Sequence, residues 1–390
     1  MKNHQDVRMN NKVYINDIQA FLPNEAVNNK EIEHVLGQVG SRPSRAKNLI
    51  LRSNKIKQRY YAINPETGEM THTNTELTAE AIRKLNSVSF DINHTELLAC
   101  GTTIADQILP NHALMVHGEL KIPACEVIAT SGICLSGTMS LKYGYMSILS
   151  GQSNNAVVTG SENASAMMRA NKFQAEIETV VSELERQPEI AFEKDFLRWM
   201  LSDGAGAALL TSKPNVDSIS LEIEWMMQKS YANELDACMY AGADKQDDGS
   251  LKGWREYESQ AWLDHSIFSV KQDVKQLNEN IVEYTVIKPL KELIENGKVN
   301  PESITYFVPH YSSGYFRDRL YEGMVEAGCD IPQDRWFTNL SSKGNTGSAS
   351  IYIMLEELFH SGSLKVGDIV LCYVPESGRF STAFMQLKVV

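Results

Sequence analysis

The 390-residue chain has no CxxC pair among its six cysteines and no HExxH motif. Those absences argue against a structural zinc site with paired ligands and against a zinc protease of that class. Cys100, Cys125, Cys134, Cys238, Cys329 and Cys372 are scattered, so the default reading is buried small hydrophobes in a reducing compartment. No uncharged apolar stretch reaches the roughly 18 residues of a membrane helix. Residues 1–11 are hydrophilic, without the apolar core of a signal peptide, and read as a loose tail on a cytoplasmic protein. Basic side chains are outnumbered 37 to 49, for a formal charge of −12. That negative balance argues against a nucleic-acid binder, which needs a basic footprint. What the chain does have is 43% hydrophobic and 22% charged residues. That is enough apolar material for a large core, and it excludes a disordered chain or a coiled-coil rod.

Strand-like and helix-like segments alternate, which predicts an α/β protein. Strands are expected at 12–20, 97–101, 126–129, 155–160, 206–211, 305–309, 368–373 and 383–389. Helices are expected at 29–36, 75–85, 112–119, 135–149, 274–295, 314–327 and 348–360. No linker rich in Pro, Ser and Gly divides the chain, so its parts read as one body. An internal repeat stands out. Cys134 is followed by LSGTMSLKYGYMSILSG and then the strand-like AVVTGSE; Asn345 is followed by TGSASIYIMLEELFHSG and then VGDIVLCYVPES. A polar residue, small residues, a helix of equal length ending in Ser-Gly and a following strand recur in the same order. This reads as a duplicated βαβ unit with Cys134 and Asn345 at equivalent places.

The helix after Cys134 carries one charge through Ser150, Lys142, and a helix apolar nearly all round lies buried. Cys134 therefore sits at the amino end of a central helix. There the unpaired N–H groups and the helix dipole are expected to lower the thiol pKa and favour a nucleophilic thiolate. An inert packed thiol is the competing reading. His310 closes the strand-like ITYFVPH, where α/β folds display chemistry, although a histidine at a strand end also serves structure. Asn345 in SSKGNTGSAS fits an ordinary helix cap, and equally a carboxamide donor facing Cys134. Cys, His and Asn at one point would supply a nucleophile, a proton handler and a hydrogen-bond donor. Asp203 in LSDGAGAALL reads as turn chemistry rather than an acid/base group.

SGICLSG, VPH and KGNTGSAS resemble the three active-site motifs of the thiolase superfamily, above all its β-ketoacyl-acyl-carrier-protein synthase III branch. FLPNEAVNN, IKQRYYA, CGTTIADQILPNHA, SGQSNNAVVTGSE and LSDGAGAALL agree, so the likeness runs from about residue 12 to 390. The resemblance implies a thiolase-like five-layer α/β fold of two duplicated βαβαβαββ halves, at about 12–212 and 213–390, and a homodimer. It implies that Cys134 accepts an acyl group from a thioester while His310 and Asn345 hold the carbonyl of a second thioester. A Claisen condensation with a malonyl or β-ketoacyl unit follows. The oxyanion would lie on the backbone N–H groups of Cys134 and Gly378. No metal or cofactor is called for; acyl-CoA or acyl-carrier-protein thioesters are the substrates.

The sequence departs from the family pattern in three places. Tyr311-Ser312-Ser313 stands where the family has Gln-Ala-Asn, the terminal Gly-rich loop is reduced to VPESGRF, and about 163–199 forms a longer, charged insertion. These departures favour specialised lipid or polyketide metabolism, such as the ketosynthase/cyclases that join two β-ketoacyl chains into a dialkylresorcinol-type ring. Residues 41–65 are basic without an acid, and Arg42, Arg45 and Arg52, with Arg317 and Arg319, suit docking of an acidic carrier protein. The alternatives are a non-condensing acyltransferase to an alcohol or amine on the same fold, and a papain-type cysteine hydrolase, which uses Cys, His and Asn in the same chain order.

Overall fold

The structure is a computed structural model and describes residues 12–39, 47–87, 89–172 and 197–390. Nine segments pair into one mixed sheet: β1 (Tyr14–Phe21), β2 (Leu97–Thr102), β3 (Glu126–Ser131), β4 (Asn155–Glu162), β5 (Gly204–Thr211), β6 (Leu221–Ser230), β7 (Tyr306–Pro309), β8 (Ile369–Glu376) and β9 (Ser381–Val389). Their order across the sheet is β7-β8-β9-β6-β1-β5-β4-β2-β3. β1 and β6 meet antiparallel only through Tyr14 opposite Glu222 and Ile15 opposite Leu221. Outward from that seam, β1 pairs antiparallel with β5 and β5 with β4, and the β4–β2 and β2–β3 pairs are parallel. On the other side β6–β9 and β9–β8 are antiparallel and β8–β7 is parallel. A single parallel bridge from Phe307 to Trp336 stands where a further strand would pair. The two sides are built alike, as the sequence repeat implies.

Helices make three layers around the two sides of this sheet. α1 (Asn74–Arg83) starts with Thr73 and Glu76 capping each other reciprocally. It packs with α2 (His112–Leu120) on the outer face of β2, β4 and β5 through Leu77, Ala81, Ile82, Ala113 and Val116. The middle layer is α3 (Ser136–Leu149) with a later helix of like character, Ser350–His360; both are sealed into the largest core through Leu141, Ile148, Ile351, Tyr352 and Leu355. The far layer is α4 (Val274–Val282), α5 (Lys288–Glu295) and α6 (Arg317–Glu326), whose Leu277, Leu290, Leu293, Leu320 and Met324 cover β7, β8 and β9. Numbering on, Ser350–His360 is α7. This is the five-layer thiolase arrangement, helix, sheet, helix, sheet, helix.

The two central helices touch through small residues. A Cβ at Gly137 would lie 2.3 Å from the Ser348 carbonyl oxygen. Tyr352 Oη donates to the Gly137 carbonyl at 2.8 Å and is within 3.1 Å of Ser140 Oγ. That contact fixes the amino ends of the two helices, and so the loops of Cys134 and Asn345, relative to each other.

All eight expected strands are present, and β6 is an addition. The expected helix at 274–295 is interrupted by a π-helical stretch, Glu283–Ile287. Pro289 has no N–H to give the Thr285 carbonyl four residues back, and that carbonyl takes the Thr382 hydroxyl at 2.9 Å instead. Of the expected insertion, the described parts are a turn of helix at Ser165–Met168, a 3-10 turn at Ala170–Lys172 and the buried 197–199; residues 173–196 lie outside the described residues, as does the expected tail at 1–11.

Candidate active site

One cavity holds Cys134, His310 and Asn345 together in its lining. They arrive on different elements: Cys134 in the turn between β3 and α3, His310 at the end of β7, and Asn345 in the loop leading to α7. The cavity has about 1280 Å³ of empty space, open solvent at its mouth included. Its walls are mostly apolar. Met167, Met168, Leu197 and Leu201 line it together with Met239, Leu277, Ile281 and Val286. Val286 belongs to the π-helical stretch.

The thiol is not the pre-ionised group that the helix start led us to expect. Burial pushes the Cys134 pKa well above the ordinary thiol range, and the Glu376 and Glu162 carboxylates push it the same way. The first helical residue is Ser136, so Cys134 sits two residues before the helix. The dipole's help falls off within a turn and loses here to desolvation and two nearby acids. The Cys134 thiol is thereby held in its neutral form.

His310 is buried, 4% exposed, with its backbone N–H donating to the Tyr373 carbonyl at 2.8 Å. Burial lowers its pKa to about 4, so the imidazole is neutral at physiological pH and keeps one N–H donor and one acceptor nitrogen. Asn345 is held on both sides of its backbone. Its N–H donates to the Met200 carbonyl at 3.0 Å and its carbonyl accepts the Ser202 N–H at 2.8 Å. Its Oδ1 accepts the Gly347 N–H at 3.0 Å. With Oδ1 turned to that amide, Nδ2 is left to donate. The cap reading of Asn345 and the donor reading are thus compatible.

Two carboxylates escaped the sequence reading. Glu162, the last residue of β4, lines the cavity and is 6% exposed. Its Oε2 accepts Thr103 Oγ1 at 2.6 Å and the Ser348 N–H at 3.3 Å, and burial raises its pKa to about 7. Gly347, at φ +51°, passes so close that a Cβ would lie 2.3 Å from Glu162 Oε2. Glu376 ends β8, and its Oε2 accepts the N–H groups of Ile133 at 2.7 Å and Leu135 at 3.1 Å. The available signal was the same in both: an acid closing an otherwise apolar strand, AVVTGSE and VLCYVPE.

Asp203 has the structural role expected of it, accepting the N–H groups of Ala62 at 2.7 Å and Ser165 at 2.8 Å. Gly378, expected as an oxyanion donor, is in the turn between β8 and β9 and not in the cavity lining, whereas its neighbour Ser377 is. The Gly378 carbonyl accepts the N–H groups of Cys238 and Met239. Arg42 and Arg45 lie outside the described residues; Arg52 is exposed, with Lys55 and Lys57. Arg317 and Arg319, expected to take part in docking, are half-buried and engaged within the fold. Arg317 bonds Gln333 Oε1 at 2.9 Å and stacks over Trp336, and Arg319 donates to the Asn278 carbonyl at 2.7 Å. Arg59 of the same basic run is fully buried, donating to the Trp199 carbonyl. A guanidinium so held covers apolar surface and satisfies carbonyls rather than offering charge to a partner.

Residues 294–382 match the family model described as 3-oxoacyl-[acyl-carrier-protein] synthase III C terminal. A β-ketoacyl-[acyl-carrier-protein] synthase III from Sulfurovum sp. is 24% identical over 356 residues, 91% of this chain and 89% of the relative. Among solved structures, the tetronic acid condensing enzyme AbyA1 aligns with a TM-score of 0.72 and 17% identity over 96% of this chain and 99% of that one. Xanthomonas campestris OleA with bound lauric acid and lauroyl-CoA aligns with a TM-score of 0.69 and 18% identity over 97% of this chain and 99% of that one. Among the described residues no helix is long and apolar enough to cross a membrane. A peptidase of the papain type has no support in this architecture. The five layers and the doubled strand pattern are the thiolase fold of these solved structures, and residues 294–382 carry the C-terminal segment that the synthase III model describes.

Proposed function

We propose that the protein is a condensing enzyme: it takes an acyl group onto Cys134 from a thioester and joins that acyl carbon to the α-carbon of a second thioester. The observation that carries this reading is the convergence of Cys134, His310 and Asn345, from both sides of the sheet, on one apolar cavity. In the first step Sγ attacks the thioester carbonyl, the oxyanion turns to the Cys134 N–H, and the thiol proton leaves with the departing thiol. The apolar walls keep water from the acyl-enzyme. In the second step neutral His310 and the Nδ2 of Asn345 donate to the carbonyl oxygen of a malonyl or β-ketoacyl thioester. The enolate negative charge is thereby stabilised, and the carbanion, formed by loss of CO₂ in the malonyl case, attacks the acyl carbonyl and releases Cys134.

Two further points belong to this reading. A cavity walled by methionines and branched aliphatics from both sides of the fold fits long alkyl substrates, in keeping with lauroyl-CoA bound to the similar OleA. That favours specialised lipid or polyketide metabolism, with ring closure of two joined β-ketoacyl chains as the finest form of the proposal. Homodimer formation and carrier-protein docking at the exposed Arg52, Lys55 and Lys57 complete it.

The test is condensation itself. Purified protein given an acyl thioester and a malonyl thioester should release CO₂ and form a β-ketoacyl product. His310→Ala should abolish both while Cys134 still becomes acylated. Acyl transfer to an alcohol or amine, with no carbon–carbon bond formed, would replace the proposal with the non-condensing acyltransferase.

A further inference from the structure

The turn carrying Cys134 leaves β3 at Ser131 and enters α3 at Ser136. N–H groups that precede a helix have no partner within it and need one from elsewhere. Two of them, those of Ile133 and Leu135, point to the same oxygen of Glu376, which comes from the other side of the sheet. The carboxylate sits in a slot between two glycines. A Cβ at Gly132 would lie 3.0 Å from its Oε2, and one at Gly378 3.5 Å from its Oε1. Glu376 is itself fixed at the end of the β8–β9 ladder, opposite Ser381, and is 7% exposed.

A buried carboxylate is costly unless it is hydrogen-bonded, and this one lies where its charge opposes a thiolate. Its place has a positional reason. We propose that Glu376 is the positioning residue of the nucleophile loop, clamping the amides on either side of Cys134 so that the sulfur stays turned to the cavity. With both flanking amides taken by the clamp, the Cys134 N–H remains as a donor for the oxyanion. The inference rests on Cys134 being the acyl carrier, and it ties the geometry of the nucleophile, on one half, to the last hairpin of the other.

Glu376→Gln keeps an oxygen of the same reach and removes the charge; Glu376→Ala removes both. Three readouts separate them in the full chain. Hydrogen exchange of the Ile133 and Leu135 amides should quicken about tenfold or more in Glu376→Ala and stay near native in Glu376→Gln. The pH profile for alkylation of Cys134 by iodoacetamide should move to lower pH in both variants, because a like charge has gone. Acylation of Cys134 by an acyl thioester should fall about 10- to 100-fold in Glu376→Ala and recover in Glu376→Gln. Native-like exchange and acylation in Glu376→Ala would overturn the proposal, as would equal loss in both variants at an unchanged melting temperature. If no thioester acylates the native protein, the proposed function fails. The exchange and alkylation readings still decide the role of Glu376.

Discussion

Glu162 is a buried acid whose ionisation the fold resists, and this makes stability depend on pH in a calculable way. Burial raises its pKa from 4.5 to about 7. The folded state therefore binds the proton more tightly than the unfolded chain does, and folding releases stability as that proton is lost. Stability is highest below the unfolded value and falls as pH rises through the folded one. Between pH 5 and pH 8 the loss from this one group is about 2.5 kcal/mol, taking about 1.36 kcal/mol per pKa unit. Glu162→Gln retains an oxygen for Thr103 Oγ1 and the Ser348 N–H, and it removes the titration. Urea unfolding of native protein and Glu162→Gln at pH 5 and pH 8 measures the difference directly. The variant's change in stability between the two values should be more favourable than the native change by about 2.5 kcal/mol, leaving the contribution of Asp203, raised to about 6, in both proteins. Parallel pH dependences would show that Glu162 titrates as an ordinary carboxylate, and the buried cavity wall drawn around it would be wrong.

His310 titrates with the opposite sign: its folded pKa of about 4 lies below the unfolded 6.5, so stability is lost as pH falls, by about 2 kcal/mol between pH 7 and pH 5. His310→Gln should remove that part of the acid sensitivity in the same unfolding assay and leave the equal part due to His112, also lowered to about 4. Gly137→Ala places a methyl 2.3 Å from the Ser348 carbonyl oxygen, forcing the central helices apart; a cost of about 1–3 kcal/mol should appear as a lower melting temperature. Val286→Trp fills the cavity from the π-helical wall and should cut Cys134 acylation by long-chain thioesters about tenfold or more, sparing acetyl transfer. Equal effects on both chain lengths would contradict that wall's role in substrate selection.

Most of this architecture was legible in the chain because its strands are short apolar runs closed by turn residues, and its central helix is apolar nearly all round. The repeat beginning at Cys134 and Asn345 disclosed the pairing of the central helices, and the three polar residues meet in one cavity. The elements that were not legible have physical reasons. β6, LEIEWMMQKS, alternates charged and apolar residues with a single β-branched side chain, so its pattern is weak until β9 supplies a partner along its whole length. The π-helical stretch depends on the Thr382 hydroxyl, nearly a hundred residues away, accepting the task that Pro289 cannot perform. The thiol's protonation depends on burial and on two acids distant in sequence. A helix start seen in isolation points the wrong way, because local dipole chemistry is visible in a sequence and desolvation is not. The basic run at 41–65 looked uniform, yet Arg59 lies in the core and Lys47 pairs with Glu33.

The central claim is that Cys134 carries an acyl group during turnover, and intact-mass spectrometry tests it most directly. After incubation with acetyl, octanoyl and lauroyl thioesters, the native chain should gain the mass of one acyl group, peptide mapping should place it on Cys134, and Cys134→Ala should gain nothing. An adduct that persists in Cys134→Ala, or its absence from the native protein with every thioester, would contradict the account.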